Sequence, residues 1–141
     1  MTNHDKSNVK LVLEAFDLLF NRKDFQGAEE YWSADYIQHS AHVPAGREGL
    51  FELVKRAPAD FRYENAIAMG DGNMVMLHGR FRNVGQPRDW IVADIVRVHS
   101  GMLVEHWDVI QPEATQAESL GGHPMFGDSF PLLVASPSVK P

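Results

Sequence analysis

The sequence predicts one α+β domain, with three helices in its first half and a mainly antiparallel sheet after them. Before Pro58 the apolar residues recur every three or four positions, which is the period of an amphipathic helix. After Pro58 they alternate, which is the period of a half-buried strand. Short glycine-containing turns join the predicted strands, so neighbouring strands must run antiparallel. Helices followed by a meander of strands are typical of the α+β class.

The predicted helices occupy residues 7–21, 24–32 and 46–56, each with apolar side chains along one face. A brief extended stretch over 33–39 separates the second helix from the third. Pro58 ends the third helix, because proline lacks the backbone N–H that a helix needs.

Four strands are predicted after Pro58, at residues 62–69, 74–83, 89–99 and 102–111. The turn signals Asp71-Gly72 and Ser100-Gly101 punctuate them. A tail over 113–141 is rich in glycine and proline, so little regular structure is expected there. No linker or repeat divides the chain, and residues 1–141 are predicted to form a single domain with its core at about 7–112.

Composition narrows the classes of partner. The 141 residues are 44% hydrophobic and 23% charged, carry a net charge of -6 and include no cysteine. Because no basic stripe is present, neither a nucleic acid nor an anionic membrane surface is an expected partner. No apolar run approaches the roughly 20 residues that span a bilayer, and no secretory signal precedes the domain, so a cytoplasmic protein is expected. A small, uncharged or weakly charged ligand is the expected partner.

The hairpin around Ser100-Gly101 places polar residues on the sheet. If residues 99–101 form a three-residue loop with Gly101 in a left-handed bulge, Asp94 lies opposite His106. Because side chains alternate, Asp108 then shares their face of the sheet. Titratable groups on a covered face are costly unless they are paired or hydrated, and such groups are where acid–base chemistry is found. A purely structural Asp–His hydrogen bond explains the same pattern.

A two-residue loop is the alternative, and it shifts the register by one. Glu105, Trp107 and Gln111 would then turn to the face that carries Asp94. The three-residue loop is preferred because it leaves Arg97 and Glu105 on the outer face, close enough for an ion pair.

Several segments together resemble a known family. They are WSADYIQH at residues 32–39, GREG at 46–49 and the strand pair DIVRV at 94–98 and GMLVEHWD at 101–108. These resemble the SnoaL-like proteins, relatives of the polyketide cyclases in the superfamily of nuclear transport factor two and ketosteroid isomerase. The resemblance covers about residues 7–112, and its EHWD run after a glycine turn is the most specific part.

The resemblance implies a fold and a range of functions. Such proteins are cone-shaped α+β barrels, in which helices close over a strongly curved sheet to leave a deep apolar pocket, and most form homodimers through the sheet. Their enzymes work without cofactors, whereas other members have no demonstrated activity. The expected function is therefore a cofactor-independent acid–base lyase or isomerase, such as an aldol-type cyclase, acting on a small apolar carbonyl compound. The alternative is a non-catalytic binding domain of the same fold.

The resemblance also implies site residues. His39 falls where ketosteroid isomerase has its proton-abstracting carboxylate, and Asp94 falls where that enzyme keeps a protonated aspartic acid. Phe16 replaces that enzyme's helix tyrosine and cannot donate a hydrogen bond. The last-strand aspartate of the cyclases matches Asp108, with Gln111 as the competing match in the other register. The expected catalytic residues are His39, Asp94, His106 and Asp108.

The wall of the expected pocket is apolar and partly aromatic. Its expected lining residues are Phe16, Phe20, Trp32, His78, Val96 and Ile110. No metal site is expected, because the histidines show no zinc-binding helix motif. The tail around His123 is expected either to close over the pocket mouth or to stay disordered.

Overall fold

The computed structural model describes residues 1–132, so the last part of the predicted tail, 133–141 with Pro137 and Pro141, lies outside the described residues. Helices and strands follow one another as predicted. The helices are α1 (Asn3–Phe16), α2 (Phe25–Ala28) and α3 (Gly46–Arg56). The strands are β1 (Trp32–Gln38), β2 (Arg62–Asp71), β3 (Met74–Arg82), β4 (Trp90–His99) and β5 (Met102–Pro112). A π-helical turn, Asp17–Asn21, extends α1. Within residues 1–132, no helix is both long and apolar enough to cross a membrane.

Helix α1 begins four residues before the predicted start. The Asp5 N–H donates to Thr2 Oγ1 at 3.1 Å and the Thr2 N–H donates to Asp5 Oδ2 at 2.8 Å, which forms a capping box. Asp5 Oδ1 also accepts a hydrogen bond from the Gly72 N–H at 2.9 Å, which ties the helix to the β2–β3 turn. At the other boundary, the second helix ends at Ala28 and not near residue 32, because Trp32 already pairs with β5.

The five strands form one curved sheet in the order β1-β5-β4-β3-β2. The pairs β2–β3, β3–β4 and β4–β5 are antiparallel, as predicted, whereas β1 runs parallel to β5. The helices pack on the inner face, which confirms the α+β class. The sheet is not closed on itself, since β1 and β2 form its edges, and helices packed on a curved, mainly antiparallel sheet confirm the predicted fold.

The β4–β5 hairpin corrects the predicted loop. Ser100 and Gly101 have φ angles of 51° and 74° and form a two-residue turn, in which His99 pairs with Met102. A bulge at Val104 then inserts one residue, because Leu103 pairs with Val98 and Glu105 pairs with Arg97. A two-residue turn alone would shift the pairing by one residue and exchange the two faces of β5. The extra residue at the bulge cancels this shift.

That bulge decides which side chains reach the inner face. Asp94 pairs directly with Asp108, and His106 pairs with Val96. Asp94, His106 and Asp108 therefore share one face as predicted, although Asp94 lies opposite Asp108 and not opposite His106. Glu105 faces outward, where its Oε1 lies 3.0 Å from Arg97 Nη2.

The described part of the tail lies on the outer face of the sheet. His78 Nε2 is 2.8 Å from the Met125 carbonyl oxygen, and the Phe126 ring stacks against His78. The Arg80 guanidinium lies 4.4 Å from the centroid of the same ring. These contacts lie across the sheet from the helices, so residues 113–132 do not close the pocket mouth.

Candidate functional site

A cavity of about 510 Å³ lies between the helices and the inner face of the sheet. Its walls are mostly apolar and partly aromatic, and it is large enough for a ligand of one or two fused rings with substituents. The aromatic wall comprises Phe16, Phe20, Trp32, Phe61, Phe81 and Trp90. Strand β5 adds Ile110, and α3 adds Leu50 and Leu53.

Asp94 and His106 form a buried pair on the polar side of this cavity. His106 Nε2 lies 2.6 Å from Asp94 Oδ1, and both side chains are more than nine-tenths buried. The other ring nitrogen, His106 Nδ1, lies 2.6 Å from Gln38 Oε1. The imidazole is therefore held between strand β4 on one side and strand β1 on the other.

The neighbouring backbone fixes which of these atoms carry protons. The Ser40 N–H donates to Gln38 Oε1 at 3.0 Å, and a backbone N–H can only donate, so the oxygen of the Gln38 amide must face this point. His106 Nδ1 must then carry the proton that it shares with Gln38 Oε1. It follows that the short His106–Asp94 contact also needs a proton, which is either on the carboxyl or on Nε2.

The burial of Asp94 favours the carboxylic acid. Burial raises the pKa of the Asp94 carboxyl above its ordinary value of 3.8, and the charge of Asp108 acts in the same direction. The hydrogen bond from His106 opposes this change. Asp94 Oδ2 is buried without a hydrogen-bond partner, which is costly for a charged carboxylate and less so for a neutral acid. The pair as a whole holds one shared proton and no net charge.

Asp108 differs from Asp94 in its surroundings. Its side chain lines the cavity and is only partly buried, and within the described residues it has no hydrogen bond and no ion pair. Ligand atoms of Asp94, His106 and Asp108 lie within 4.8 Å of one another, a spacing that a metal ion could use. Both His106 nitrogens are already engaged, so a metal ion would have to displace Asp94 from Nε2. Asp108 is thus the carboxylate that faces a ligand directly.

Tyr36 completes the polar side of the cavity. Its ring lies nearly parallel to that of His106, with centroids 6.4 Å apart, and its side chain is buried. Burial, reinforced by the charge of Asp108, raises the pKa of the Tyr36 hydroxyl, which therefore stays protonated. The hydroxyl accepts a long hydrogen bond from Gln38 Nε2 at 3.5 Å, and no acceptor for its own proton lies within reach among residues 1–132. That proton is available to a ligand oxygen.

His39 does not lie in the cavity. It follows Gln38, which faces inward, so its side chain turns to the outer face of the sheet. There it stacks on Trp107 at a centroid distance of 4.8 Å, and its Nε2 lies 2.7 Å from Glu105 Oε2. The predicted position of His39 in the pocket is therefore wrong. The inward-facing residue is Gln38, one position earlier, because neighbouring residues of a strand face opposite sides of the sheet.

Two of the expected lining residues also lie elsewhere. His78 projects from the outer face of β3 onto the tail. Val96 faces inward but is wholly enclosed in the core and does not reach the cavity. Phe16, Phe20, Trp32 and Ile110 do line it.

Four polar or charged lining residues were not expected from the sequence. They are Tyr36, Gln38, His42 and Arg56. The alternation of side chains along a strand could have indicated Tyr36 and Gln38, because these two residues share one face and His39 lies on the other. No sequence signal marked Arg56, which lies at the exposed C-terminal end of α3.

Comparison with known proteins agrees with the fold. The profile of a family described as SnoaL-like domain matches residues 12–106. No curated protein matches the chain by sequence. Solved structures resemble it over most of its length.

Three of these structures illustrate the range. The "putative hydroxylase" AclR of Streptomyces galilaeus is 25% identical, with 76% of this chain and 80% of AclR aligned at a TM-score of 0.62. A "putative ketosteroid isomerase" of Kribbella flavida is 15% identical, with 90% and 97% of the two chains aligned at a TM-score of 0.69. The "putative polyketide cyclase" IdmH of Streptomyces antibioticus is 19% identical, with 74% and 91% aligned at a TM-score of 0.60. At such identities, the last two show the fold alone.

Proposed function

Because this chain belongs to the SnoaL-like domain family, we propose that its pocket performs cofactor-independent acid–base chemistry on a small apolar carbonyl compound. The reaction begins with removal of a proton from the carbon next to the carbonyl group, and ring closure or isomerisation follows. The observation that carries the proposal is the Asp108 carboxylate, which has no partner among residues 1–132 and lies beside the buried Asp94–His106 pair in an apolar, partly aromatic cavity.

Asp108 is the proposed general base. Its carboxylate lines the cavity and has no hydrogen bond among residues 1–132, so both oxygens are free to accept a proton from a ligand carbon. The base abstracts the proton and a pair of electrons moves onto the carbonyl oxygen as an enolate. A base of this kind contributes about 10²- to 10⁴-fold in rate, and the remainder must come from stabilisation of the enolate oxygen.

Tyr36 is the proposed donor to that oxygen. Phe16 supplies no donor from helix α1, whereas the Tyr36 hydroxyl lines the same cavity from β1 with its proton unused. Asp94 and His106 act through Gln38: His106 holds the amide oxygen, so the amide nitrogen faces the Tyr36 hydroxyl oxygen. With this oxygen accepting from Gln38, the Tyr36 proton is directed to the ligand. Asp94 and His106 are thus positioning residues in this proposal.

Proton exchange tests the proposal without knowledge of the natural substrate. We expect the protein to speed the exchange of the α-protons of 2-tetralone, a flat bicyclic ketone, for deuterium in heavy water, as followed by proton NMR. EDTA should leave the rate unchanged, because no step uses a metal ion. No acceleration over buffer, or acceleration that EDTA abolishes, would contradict the proposed chemistry.

Binding without turnover is the second candidate function, and the same experiment separates the two. The aromatic wall can hold 2-naphthol, a planar analogue of the enol of 2-tetralone, whether or not chemistry follows. Binding of 2-naphthol by calorimetry together with no exchange of 2-tetralone would favour the binding domain.

We further propose that the outer face of the sheet pairs with a second copy of this chain. Met69, Met76, Ile95 and Trp107 lie directly opposite one another across four strands. Met69 and Met76 are about half exposed, and Ile67 beside them is 53% exposed. Monomeric proteins rarely leave such a continuous apolar row in water.

Light scattering after size-exclusion chromatography tests this interface. We expect the unmodified protein to elute as a dimer and Met76→Glu to elute as a monomer, because the charge would be buried between two apolar faces. Lys10→Glu, which places the same side chain on the exposed side of α1 and changes the net charge by even more, serves as the control and should remain dimeric. A dimer that survives Met76→Glu would place the interface elsewhere.

A further inference from the structure

The cavity has a single cationic lining residue among those described, Arg56, in the last turn of α3. Its side chain is exposed, whereas Asp94 on the polar side is 2% exposed. Burial therefore separates the two groups: Asp94 lies at the closed end of the cavity, and Arg56 lies at its mouth beside the exposed Pro58.

The Arg56 guanidinium has no carboxylate partner within the described residues. Its one hydrogen bond is a long one, from Nε to the Glu52 carbonyl oxygen at 3.4 Å. The Glu52 carboxylate pairs instead with Lys55 at 3.4 Å. Most other arginines do pair with carboxylates, namely Arg22, Arg47, Arg80, Arg82, Arg88 and Arg97. Arg56 is thus a cation whose planar donor groups remain free at the mouth of an apolar cavity.

Two features of the charge distribution restrict how an anionic ligand can bind beside Arg56. The chain has a net charge of -6, so it repels anions in general and any attraction must be local to Arg56. Inside the cavity, the Asp108 carboxylate repels an anionic group as well. An anionic ligand is therefore stable in one orientation, with its charge at the mouth and its neutral end at the polar side.

We propose that the ligand of this cavity is a flat apolar molecule that carries a carboxylate at one end, and that Arg56 binds this carboxylate. The inference rests on the proposed function for the identity of the inner, carbonyl-bearing end of the molecule. It does not depend on that function for the anion site itself. A guanidinium matches a carboxylate with two parallel hydrogen bonds, and such charge-assisted bonds are stronger than those between neutral groups.

A matched pair of ligands and a matched pair of variants test the anion site. The ligands are 2-naphthoate and its neutral methyl ester, and their affinities are measured by calorimetry at low salt. We expect the protein to bind 2-naphthoate about tenfold more tightly than the ester. Arg56→Gln should remove this preference by weakening 2-naphthoate alone, with the affinity for the ester unchanged.

Arg62→Gln is the control, because it removes the same charge from an exposed arginine that does not line the cavity. It should keep the preference for 2-naphthoate. The proposal is overturned if the protein binds both ligands equally, if Arg56→Gln retains the preference, or if Arg62→Gln loses it to the same degree. The exchange of 2-tetralone by the unmodified protein keeps the two proposals apart. If exchange is absent but Arg56→Gln still removes the preference for 2-naphthoate, the proposed function fails and the anion site stands.

Discussion

Asp108→Asn is expected to slow the exchange of 2-tetralone by about 10²- to 10⁴-fold, the share of rate that a positioned general base supplies. An amide has nearly the shape of a carboxylate but cannot accept the substrate proton at neutral pH. Because Asp108 has no hydrogen bond to lose within residues 1–132, the substitution should leave the fold and the binding of 2-naphthol intact. NMR exchange rates and calorimetry measure the two effects separately.

Glu105→Gln is the matched control for this experiment. Glu105 lies three residues away on the same strand, but its side chain contacts His39 and Arg97 on the outer face. The exchange rate should therefore stay close to that of the unmodified protein. If Asp108→Asn retains full activity, or if Glu105→Gln loses as much, Asp108 is not the base.

The second large effect is on stability. His106→Leu should lower the free energy of unfolding by about 1–3 kcal/mol, because it removes the hydrogen-bond partner of the buried, neutral Asp94 carboxyl and leaves that group unsatisfied. Asp94→Asn should cost about 1 kcal/mol or less, since the new amide can donate to His106 Nε2 as the carboxylic acid does. Urea unfolding of both variants measures the difference.

The difference in stability between these two variants shows whether the hydrogen bond between His106 and Asp94 involves a neutral acid or a charged carboxylate. Both change one member of the contact between His106 Nε2 and Asp94 Oδ1, which is 2.6 Å long. If Asp94→Asn destabilises the protein as much as His106→Leu does, the bond requires a negative charge on residue 94. The pair would then be an ion pair rather than a neutral one.

Much of the fold was open to prediction from the sequence, because hydrophobic periodicity and glycine turns are local signals. The change of period after Pro58 and the turn at Ser100-Gly101 place the helices and the last hairpin close to their observed bounds. No local sequence signal indicates the bulge at Val104, because valine suits a strand whether or not its backbone is paired. Asp94, His106 and Asp108 were thus correctly predicted to share the inner face. That prediction assumed a three-residue loop, whereas the structure has a two-residue turn followed by a bulge.

The position of His39 shows where resemblance is weakest. In a sequence comparison, a histidine one position away from a site residue looks equivalent to it. In a strand, however, a shift of one residue turns the side chain to the opposite face. The parallel pairing of β1 with β5 aligns Gln38 with His106, and so it assigns the inner face to Tyr36 and Gln38. That pairing joins strands more than sixty residues apart, and no local pattern predicts it.

The account depends on one arrangement of protons around His106, and nitrogen-15 NMR of the imidazole reads it directly. With Gln38 Oε1 held by the Ser40 N–H, we predict a proton on Nδ1, with Nε2 hydrogen-bonded to Asp94. The opposite tautomer, with a bare Nδ1 and a proton fixed on Nε2, would contradict the account. It would require a reversed Gln38 amide and a charged Asp94, and it would leave the Tyr36 hydroxyl without the contact that directs it to the ligand.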